Sequence, residues 1–132
     1  MYLLDTNICI FAIRKRSQNV IKRISENFDK GIYISSLTIA EMEAGISNSK
    51  FVESNRMALL EFLSIFDILD FEEKDAIPYG KWKAFLKRTG QQISPIDMLL
   101  AGQALSNNLI MVTNNTGEFS RITDLTIEDW TL

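Results

Sequence analysis

The chain has 132 residues, of which 46% are hydrophobic and 23% are charged, and its net charge at pH 7 is −3. This length and composition predict one soluble globular domain, 1–132, built around a single core. No apolar run approaches the roughly 20 residues of a membrane span, and Met1 leads directly into an apolar segment without a basic leader. We therefore expect a cytoplasmic protein with no membrane anchor.

The chain contains no histidine and one cysteine, Cys9. These counts exclude Ser-His-Asp and Cys-His catalytic groups, imidazole zinc sites and an internal disulfide, and the apolar neighbours of Cys9 predict a buried small side chain. Any acid–base or metal chemistry must rest on carboxylates, whose hard oxygen atoms select Mg²⁺ or Mn²⁺. The negative net charge does not exclude a nucleic-acid partner, because a cation held by clustered acids would offset it.

The first half of the chain alternates short β-rich runs with segments of helical periodicity. The predicted elements are strand 1–4, helix 8–16, helix 17–30, strand 32–36, helix 38–48 and helix 53–66. Ser17 is the expected cap of the second helix, and Gly31 its end. Thr38 is the expected start of the third helix.

The second half continues the same alternation. The predicted elements are strand 66–69, helix 72–88, helix 95–107, strand 109–112, polar loop 113–119 and strand 125–127. Pro78 must either kink the first of these helices or mark its true start, whereas Ser94-Pro95 presents an N-cap followed by proline at the first helical position. Strands separated by helices specify parallel crossovers, so the fold class is α/β, a three-layer sandwich with a mainly parallel, about five-stranded sheet flanked by helices.

Polar residues fall just past predicted strands or at the start of the following helices: Asp5, Glu41, Asp97 and the loop 114–118. Because parallel strands all end on the same side of a sheet, we expect these residues to converge at one edge. Clustered carboxylates repel one another and raise their own pKa values unless a cation lies between them. A divalent ion would stabilise the cluster, lower the pKa of water and hold a phosphodiester for in-line attack.

Helix capping is the alternative for each acid taken singly. Thr38-x-x-Glu41 and Ser94-x-x-Asp97 have the spacing of a capping box, and any of Asp5, Thr6 and Asn7 can satisfy free N–H groups of the next helix. Thr6 or Asn7 could close that helix while Asp5 faces the crevice. Independent caps need not stand at the same sheet edge, so the three acids together favour a site.

Four spaced motifs and the end of the chain carry a family resemblance. They read Leu3-Leu4-Asp5-Thr6-Asn7, Ile34-Ser35-Ser36-Leu37-Thr38-Ile39-Ala40-Glu41, Pro95-Ile96-Asp97-x-x-x-Ala101, Val112-Thr113-Asn114-Asn115-x-x-Glu118-Phe119-x-Arg121 and Ile127-Glu128-Asp129-Trp130. In this order they resemble the PIN-domain family and, more narrowly, the VapC toxins of bacterial VapBC toxin–antitoxin modules.

The resemblance implies an endoribonuclease dependent on Mg²⁺ or Mn²⁺, acting as the toxin of a type II toxin–antitoxin system on structured RNA, with tRNA as the expected substrate, and so inhibiting translation. It also implies a homodimer that is silenced by a VapB-like antitoxin, whose C-terminal segment enters the active-site groove. A larger assembly on operator DNA would form through the antitoxin.

Carried over residue by residue, the resemblance assigns the metal-binding acids to Asp5, Glu41 and Asp97, with Thr6 as a supporting polar group. Many relatives carry an aspartate where this chain has Asn115, and here an acid follows at Glu118. We expect Glu118 to join the site directly or through water, with Asn115 orienting it. The number of metal ions, one or two, stays open.

Basic residues supply the candidate RNA contacts. Arg121 is favoured because it closely follows the acid loop, and Arg14 and Lys15 lie in a basic run after the first helix. A second cluster comprises Lys81, Lys83, Lys87 and Arg88. For each cluster, a solvated face without a ligand is the alternative.

Three rival functions come from the same residues. A phosphoacceptor signalling domain would also place an aspartate at a strand end, but an acid pair beside the first strand and a lysine after the last strand are both missing. A catalytically degenerate PIN-like binding or scaffold protein predicts no stabilisation by divalent ions, and cleavage of DNA instead of RNA is the third rival. Exposed apolar surface for an antitoxin tail is expected around Phe51, Met57 and Phe62.

Overall fold

A computed structural model describes residues 1–132. Its five strands form one sheet in the order β3-β2-β1-β4-β5, with every neighbouring pair parallel. The strands are β1 (Tyr2–Leu4), β2 (Ile32–Ser35), β3 (Asp67–Leu69), β4 (Ile110–Val112) and β5 (Ile127–Glu128). The helices are α1 (Thr6–Ile13), α2 (Gln18–Asn27), α3 (Ser36–Ser47), α4 (Val52–Leu63), α5 (Ala76–Arg88), α6 (Pro95–Ser106) and α7 (Thr116–Phe119). The predicted α/β sandwich is confirmed.

Each face of the sheet has its own hydrophobic core. Leu3 and Leu4 are both fully buried but belong to different cores, because successive side chains of a strand point to opposite faces. The Leu4 core contains residues of α1 to α4, including the buried Cys9, whereas the Leu3 core contains residues of α5 and α6. The central strands β1 and β4 are covered on both faces, and their sequences, Tyr-Leu-Leu and Ile-Met-Val, are accordingly apolar throughout.

The first helix begins earlier than predicted, at Thr6, and ends at Ile13. Asp5 is its N-cap, since Asp5 Oδ1 accepts a hydrogen bond of 2.9 Å from the Ile8 backbone N–H. Of the three candidate caps, Asp5 is therefore the one that closes the helix, and Thr6 and Asn7 lie inside it.

The third helix also begins before its predicted start. Ser35 is the N-cap, and its hydroxyl accepts from the Leu37 N–H at 3.0 Å, so α3 starts at Ser36. Thr38 lies inside the helix and is buried. The proposed capping box between Thr38 and Glu41 does not exist, which leaves the Glu41 carboxylate free for other contacts.

Pro78 is the third residue of α5, where its missing N–H breaks no helical bond, so it marks the helix start and not a kink. Ser94 and Pro95 are the N-cap and first residue of α6 as predicted, although Ser94 Oγ accepts from the Asp97 N–H at 3.4 Å without a reciprocal bond. The predicted loop 113–119 is wrong in its second half, which forms α7. None of the helices has both the length and the apolar character needed to cross a membrane.

Candidate active site

The strand register places the residues that follow three strands side by side. Leu4 of β1 pairs with Ile34 of β2 and with Val112 of β4. Asp5 therefore lies between Ser35 and Thr113, at the carboxyl edge of the sheet. This edge is where ligands bind in open parallel sheets.

The Asp5 carboxylate is 3% exposed and is fixed through both oxygens. Oδ1 caps α1, and Oδ2 accepts a 2.5 Å hydrogen bond from Thr113 Oγ1. Burial, with smaller contributions from the charges of Glu41 and Asp129, raises the pKa of Asp5 from 3.8 to about 6 against the opposing effect of these hydrogen bonds. A nearby cation would stabilise the ionised form of such a buried carboxylate.

Glu41 approaches the same edge from α3. Its Oε1 accepts a 2.5 Å hydrogen bond from the Thr6 hydroxyl, which also lies 3.4 Å from Thr38 Oγ1. Glu41 is exposed, so its side chain can turn toward the crevice. Thr6 is thereby placed next to a predicted metal ligand.

Asp97 stands in the first turn of α6 and is joined to α7 through an amide. Asn115 Nδ2 donates to Asp97 Oδ2 at 3.2 Å and to Glu118 Oε2 at 2.6 Å, so the predicted contact between Asn115 and Glu118 is formed. Partial burial, the adjacent Glu118 carboxyl and the charge of Asp5 together raise the pKa of Asp97 to about 6, against the opposing hydrogen bond from Ser94. Helices α1, α3, α6 and α7 thus contribute to one acidic edge.

The donor set fits a hard divalent cation, although the side chains are not closed around one. All four acids offer oxygen atoms, which Mg²⁺ and Mn²⁺ prefer, and burial together with the neighbouring carboxylates raises the pKa values of Asp5 and Asp97. With the rotamers that they adopt, no three acidic or thiol side chains are grouped closely enough to hold an ion. Binding would require Glu41 and Glu118 to rotate inward.

Thr113 is a site residue that the sequence analysis did not single out. It is fully buried, and its Oγ1 accepts from the Asn115 backbone N–H at 2.9 Å while donating to Asp5. It therefore links Asp5 to the residue that holds Asp97 and Glu118. The strand pairing contains the missing signal, because the residue after Val112 must lie beside the residue after Leu4.

The predicted RNA-binding residues have different surroundings. Arg14 is exposed and lines a groove of about 410 Å³ that it shares with Thr6 and Glu41, and Lys15 is exposed beside it. Arg121 instead braces the loop before α6, since its NH1 donates to the Gln92 carbonyl at 2.9 Å. If Arg121 also contacts a phosphate of RNA, its guanidinium must donate to that phosphate and to the Gln92 carbonyl at the same time.

The apolar residues expected on the surface are exposed in two of three cases. Phe51 is 71% and Met57 67% exposed. The expectation was wrong for Phe62, which is partly buried and packs against Phe66 with ring centroids 4.8 Å apart.

Residues 2–125 match the family model described as the PIN domain. The chain belongs to the PIN-domain family. Within it, this PIN domain belongs to the VapC group, being 41% identical over 129 residues to the "tRNA(fMet)-specific endonuclease VapC" of Shigella flexneri, an alignment that covers 98% of this chain and 97% of the relative.

Solved structures of VapBC complexes contain the same PIN fold. A chain of VapBC2 from Rickettsia felis, bound to a DNA fragment from its promoter, aligns with a TM-score of 0.93 and 38% identity over 98% of each chain. A chain of DNA-bound VapBC from Salmonella typhimurium aligns with a TM-score of 0.92 and 38% identity, covering 98% of this PIN domain and 97% of that chain.

Proposed function

We propose that the protein is an endoribonuclease dependent on Mg²⁺ or Mn²⁺ that hydrolyses a phosphodiester of structured RNA, with tRNA as its substrate. One observation carries this proposal: Asp5, Glu41, Asp97 and Glu118 come from separate parts of the chain to one sheet edge. They lie close enough that Glu41 raises the pKa of Asp5, and Asp5 and Glu118 raise the pKa of Asp97. The proposal is supported by membership of the VapC group, whose relatives are named ribonucleases.

Asp5 and Asp97 would hold the cation, with Glu41 and Glu118 completing its oxygen ligands. A divalent ion bound there would supply positive charge for the scissile phosphate and lower the pKa of water. The chain's own groups supply positioning. Thr113 and the Ile8 N–H fix both oxygens of Asp5, and Asn115 keeps Asp97 and Glu118 together.

Thr6 has a separate role in the proposed reaction. Its hydroxyl donates to Glu41 at the mouth of the groove, so it can hold Glu41 aside until the carboxylate turns inward. Once released, the same hydroxyl can donate to a reacting oxygen. Both roles need an O–H at this position.

We further propose that the protein acts in the cytoplasm as the toxin of a type II module, as a homodimer neutralised by a VapB-like antitoxin that also carries it to operator DNA. Two similar structures are VapBC complexes bound to DNA. The groove between α1, α3 and α4 has an apolar floor that includes Ile10, Met42 and Leu59, and it opens beside Glu41. An amphipathic antitoxin segment lying there would cover the acidic edge.

The direct test is cleavage by purified protein free of antitoxin. We expect it to cut tRNA(fMet), the RNA in the name of the Shigella relative, with Mg²⁺ or Mn²⁺ and not with EDTA. Asp5→Asn and Asp97→Asn should abolish cutting while circular dichroism shows an intact fold. Asp67→Asn, which removes an exposed carboxylate at the start of β3, is the matched control and should keep full activity. Unchanged cleavage by Asp97→Asn would contradict the mechanism. The same assay with DNA in place of RNA shows which of the two nucleic acids the protein cleaves.

A binding protein with a degenerate site is the second candidate, because no three acids are grouped around an ion position. It predicts a melting temperature indifferent to Mn²⁺, whereas the nuclease should be stabilised by Mn²⁺ and less so as Asp97→Asn. The phosphoacceptor alternative is disfavoured, since Asp5 is 3% exposed and both of its oxygens are engaged.

A further inference from the structure

Helix α5 carries four cations and no acid within 13 residues, in a chain whose net charge is −3. Lys81 and Arg88 are seven residues apart, so they lie on the same side of the helix, two turns from each other. Both are exposed, as are Lys83 and Lys87. This is a local positive surface on an acidic protein.

Ordinary structural roles account for only some of these charges. Lys87 and Arg88 are in the last turn, where the helix dipole favours cations, but Lys81 lies mid-helix. Lys83 donates to the Tyr79 hydroxyl at 3.0 Å. The other three form no ion pair, because the ion pairs of the chain all lie in other elements.

Aromatic side chains lie between the unpaired cations. Lys81, Trp82, Phe85 and Arg88 line a shallow groove of about 270 Å³, together with Asp124. Trp82 and Phe85 pack edge to face with ring centroids 5.4 Å apart, and Phe85 remains 43% exposed. Cations flanking an exposed aromatic ring are typical of surfaces that bind unpaired nucleotides.

The groove lies on α5, whose C-terminal end leads to the acidic edge through one short loop. The loop 89–94 joins α5 to α6, which carries Asp97 in its first turn. Arg121 braces this loop through the Gln92 carbonyl and follows Glu118 by three residues. Lys83 and Leu86 of α5 also line a small cavity with Pro95 and Met98, so the C-terminal half of α5, which carries Arg88, lies beside the start of α6, where Asp97 stands.

We propose that Lys81, Phe85 and Arg88, here called the α5 basic face, bind the RNA substrate outside the cleaved bond. The two cations contact phosphates, and Phe85 stacks on an unpaired base of a loop. This inference rests on the proposed function, since it assigns the same RNA to a second surface. The α5 basic face would position the RNA, whereas the acidic residues would carry out the hydrolysis.

The test measures binding separately from cleavage. Fluorescent tRNA(fMet) is titrated with the non-cleaving Asp97→Asn protein over a series of KCl concentrations. Adding Lys81→Gln and Arg88→Gln should make the plot of log K against log salt shallower by about 1 to 2 units, as expected for two lost phosphate contacts. Lys30→Gln with Lys50→Gln removes the same charge from exposed positions elsewhere and is the matched control, with an unchanged slope expected.

Phe85→Leu keeps an apolar side chain but removes the stacking surface. It should weaken binding roughly five-fold or more even at high salt, where the phosphate contribution is small. With Asp97 restored, the loss in the double variant should fall on KM and not on kcat.

Equal salt slopes for the Lys81/Arg88 and Lys30/Lys50 variants would overturn the proposal. So would an unchanged slope accompanied by loss of a dimer in light scattering, which would assign the face to a second copy of the chain. A third outcome is that the salt slopes are as expected but the wild-type chain does not cleave the RNA. That outcome would contradict the nuclease function and leave the α5 basic face as an RNA-binding surface.

Discussion

The carboxylate of Asp5 accepts two hydrogen bonds with different consequences. The bond from the Ile8 N–H begins α1, and the bond from Thr113 ties β1 to β4 at the sheet edge. Capping and site formation were alternatives for this residue when only the sequence was considered. One oxygen of the side chain caps the helix, and the other accepts from Thr113 at the sheet edge where we propose the site.

At the residue scale, we predict that Thr113→Val impairs the site without unfolding the protein. Valine has a similar shape but cannot donate to Asp5 or accept from the Asn115 N–H, so Asp5 loses one of its two fixed oxygens. Losing such a supporting contact typically costs roughly 10- to 100-fold in metal affinity or activity. The measurements are the Mn²⁺ dependence of the melting temperature and the rate of tRNA cleavage.

Thr113→Ser is the control, because serine keeps the hydroxyl and loses only a methyl group. It should retain most of the Mn²⁺ response and of the cleavage rate. If the serine and valine variants lost equal activity, packing at this buried position would be the cause and the role of the hydroxyl bond would be refuted.

At the scale of elements, the contact between α5 and α6 depends on one small residue. A Cβ at Gly102 of α6 would lie 2.8 Å from Tyr79 Cβ and 3.0 Å from the Asp75 carbonyl oxygen. The helices therefore approach through backbone at this point. This contact supports α6, and with it Asp97.

We predict that Gly102→Ala lowers the free energy of unfolding by about 1 to 3 kcal/mol, because the added methyl group meets atoms that cannot move aside cheaply. Gly80 lies in the interior of α5, and a Cβ added there would meet no atom within 4 Å. Gly80→Ala should instead stabilise by up to ~1 kcal/mol. Urea denaturation of both variants checks the opposite signs, and a neutral Gly102→Ala would contradict the close packing.

At the scale of the whole molecule, the sheet separates two cores that share the strands β1, β2 and β4. Trp130 is fully buried in one core, edge to face with Tyr2 at 5.0 Å, and Trp82 packs against the other. Because β1 contributes to both cores, neither core can form completely without the sheet. This arrangement agrees with the expectation of a single domain, 1–132, which stays a prediction.

We predict that both cores unfold in one cooperative transition. Trp82→Phe leaves Trp130 as the fluorescent reporter of one core, and Trp130→Phe leaves Trp82 as the reporter of the other. In each variant the fluorescence midpoint in urea should coincide with the midpoint from far-ultraviolet circular dichroism of the same protein. Separate midpoints within one variant would show two independently folding units.

Local spacing in the sequence is sufficient to predict several features. Apolar runs and helical periodicity predicted five strands between helices, and Ser94-Pro95 predicted the start of α6. Both predictions are confirmed, because the strands, the crossovers and this cap are set within a few residues of chain. The position of Asp5, Glu41 and Asp97 after strands or at helix starts predicted one acidic edge, and their assignment to a metal site stays a prediction.

Only the tertiary structure decided which groups meet across the sheet edge. The register of β1 with β4 places Thr113 on Asp5, and the short helix α7 turns Glu118 so that Asn115 can hold it beside Asp97. Burial of Phe62 against Phe66 was likewise decided by packing. Such contacts join residues far apart in the chain, and their geometry depends on strand register and side-chain packing, which local spacing does not specify.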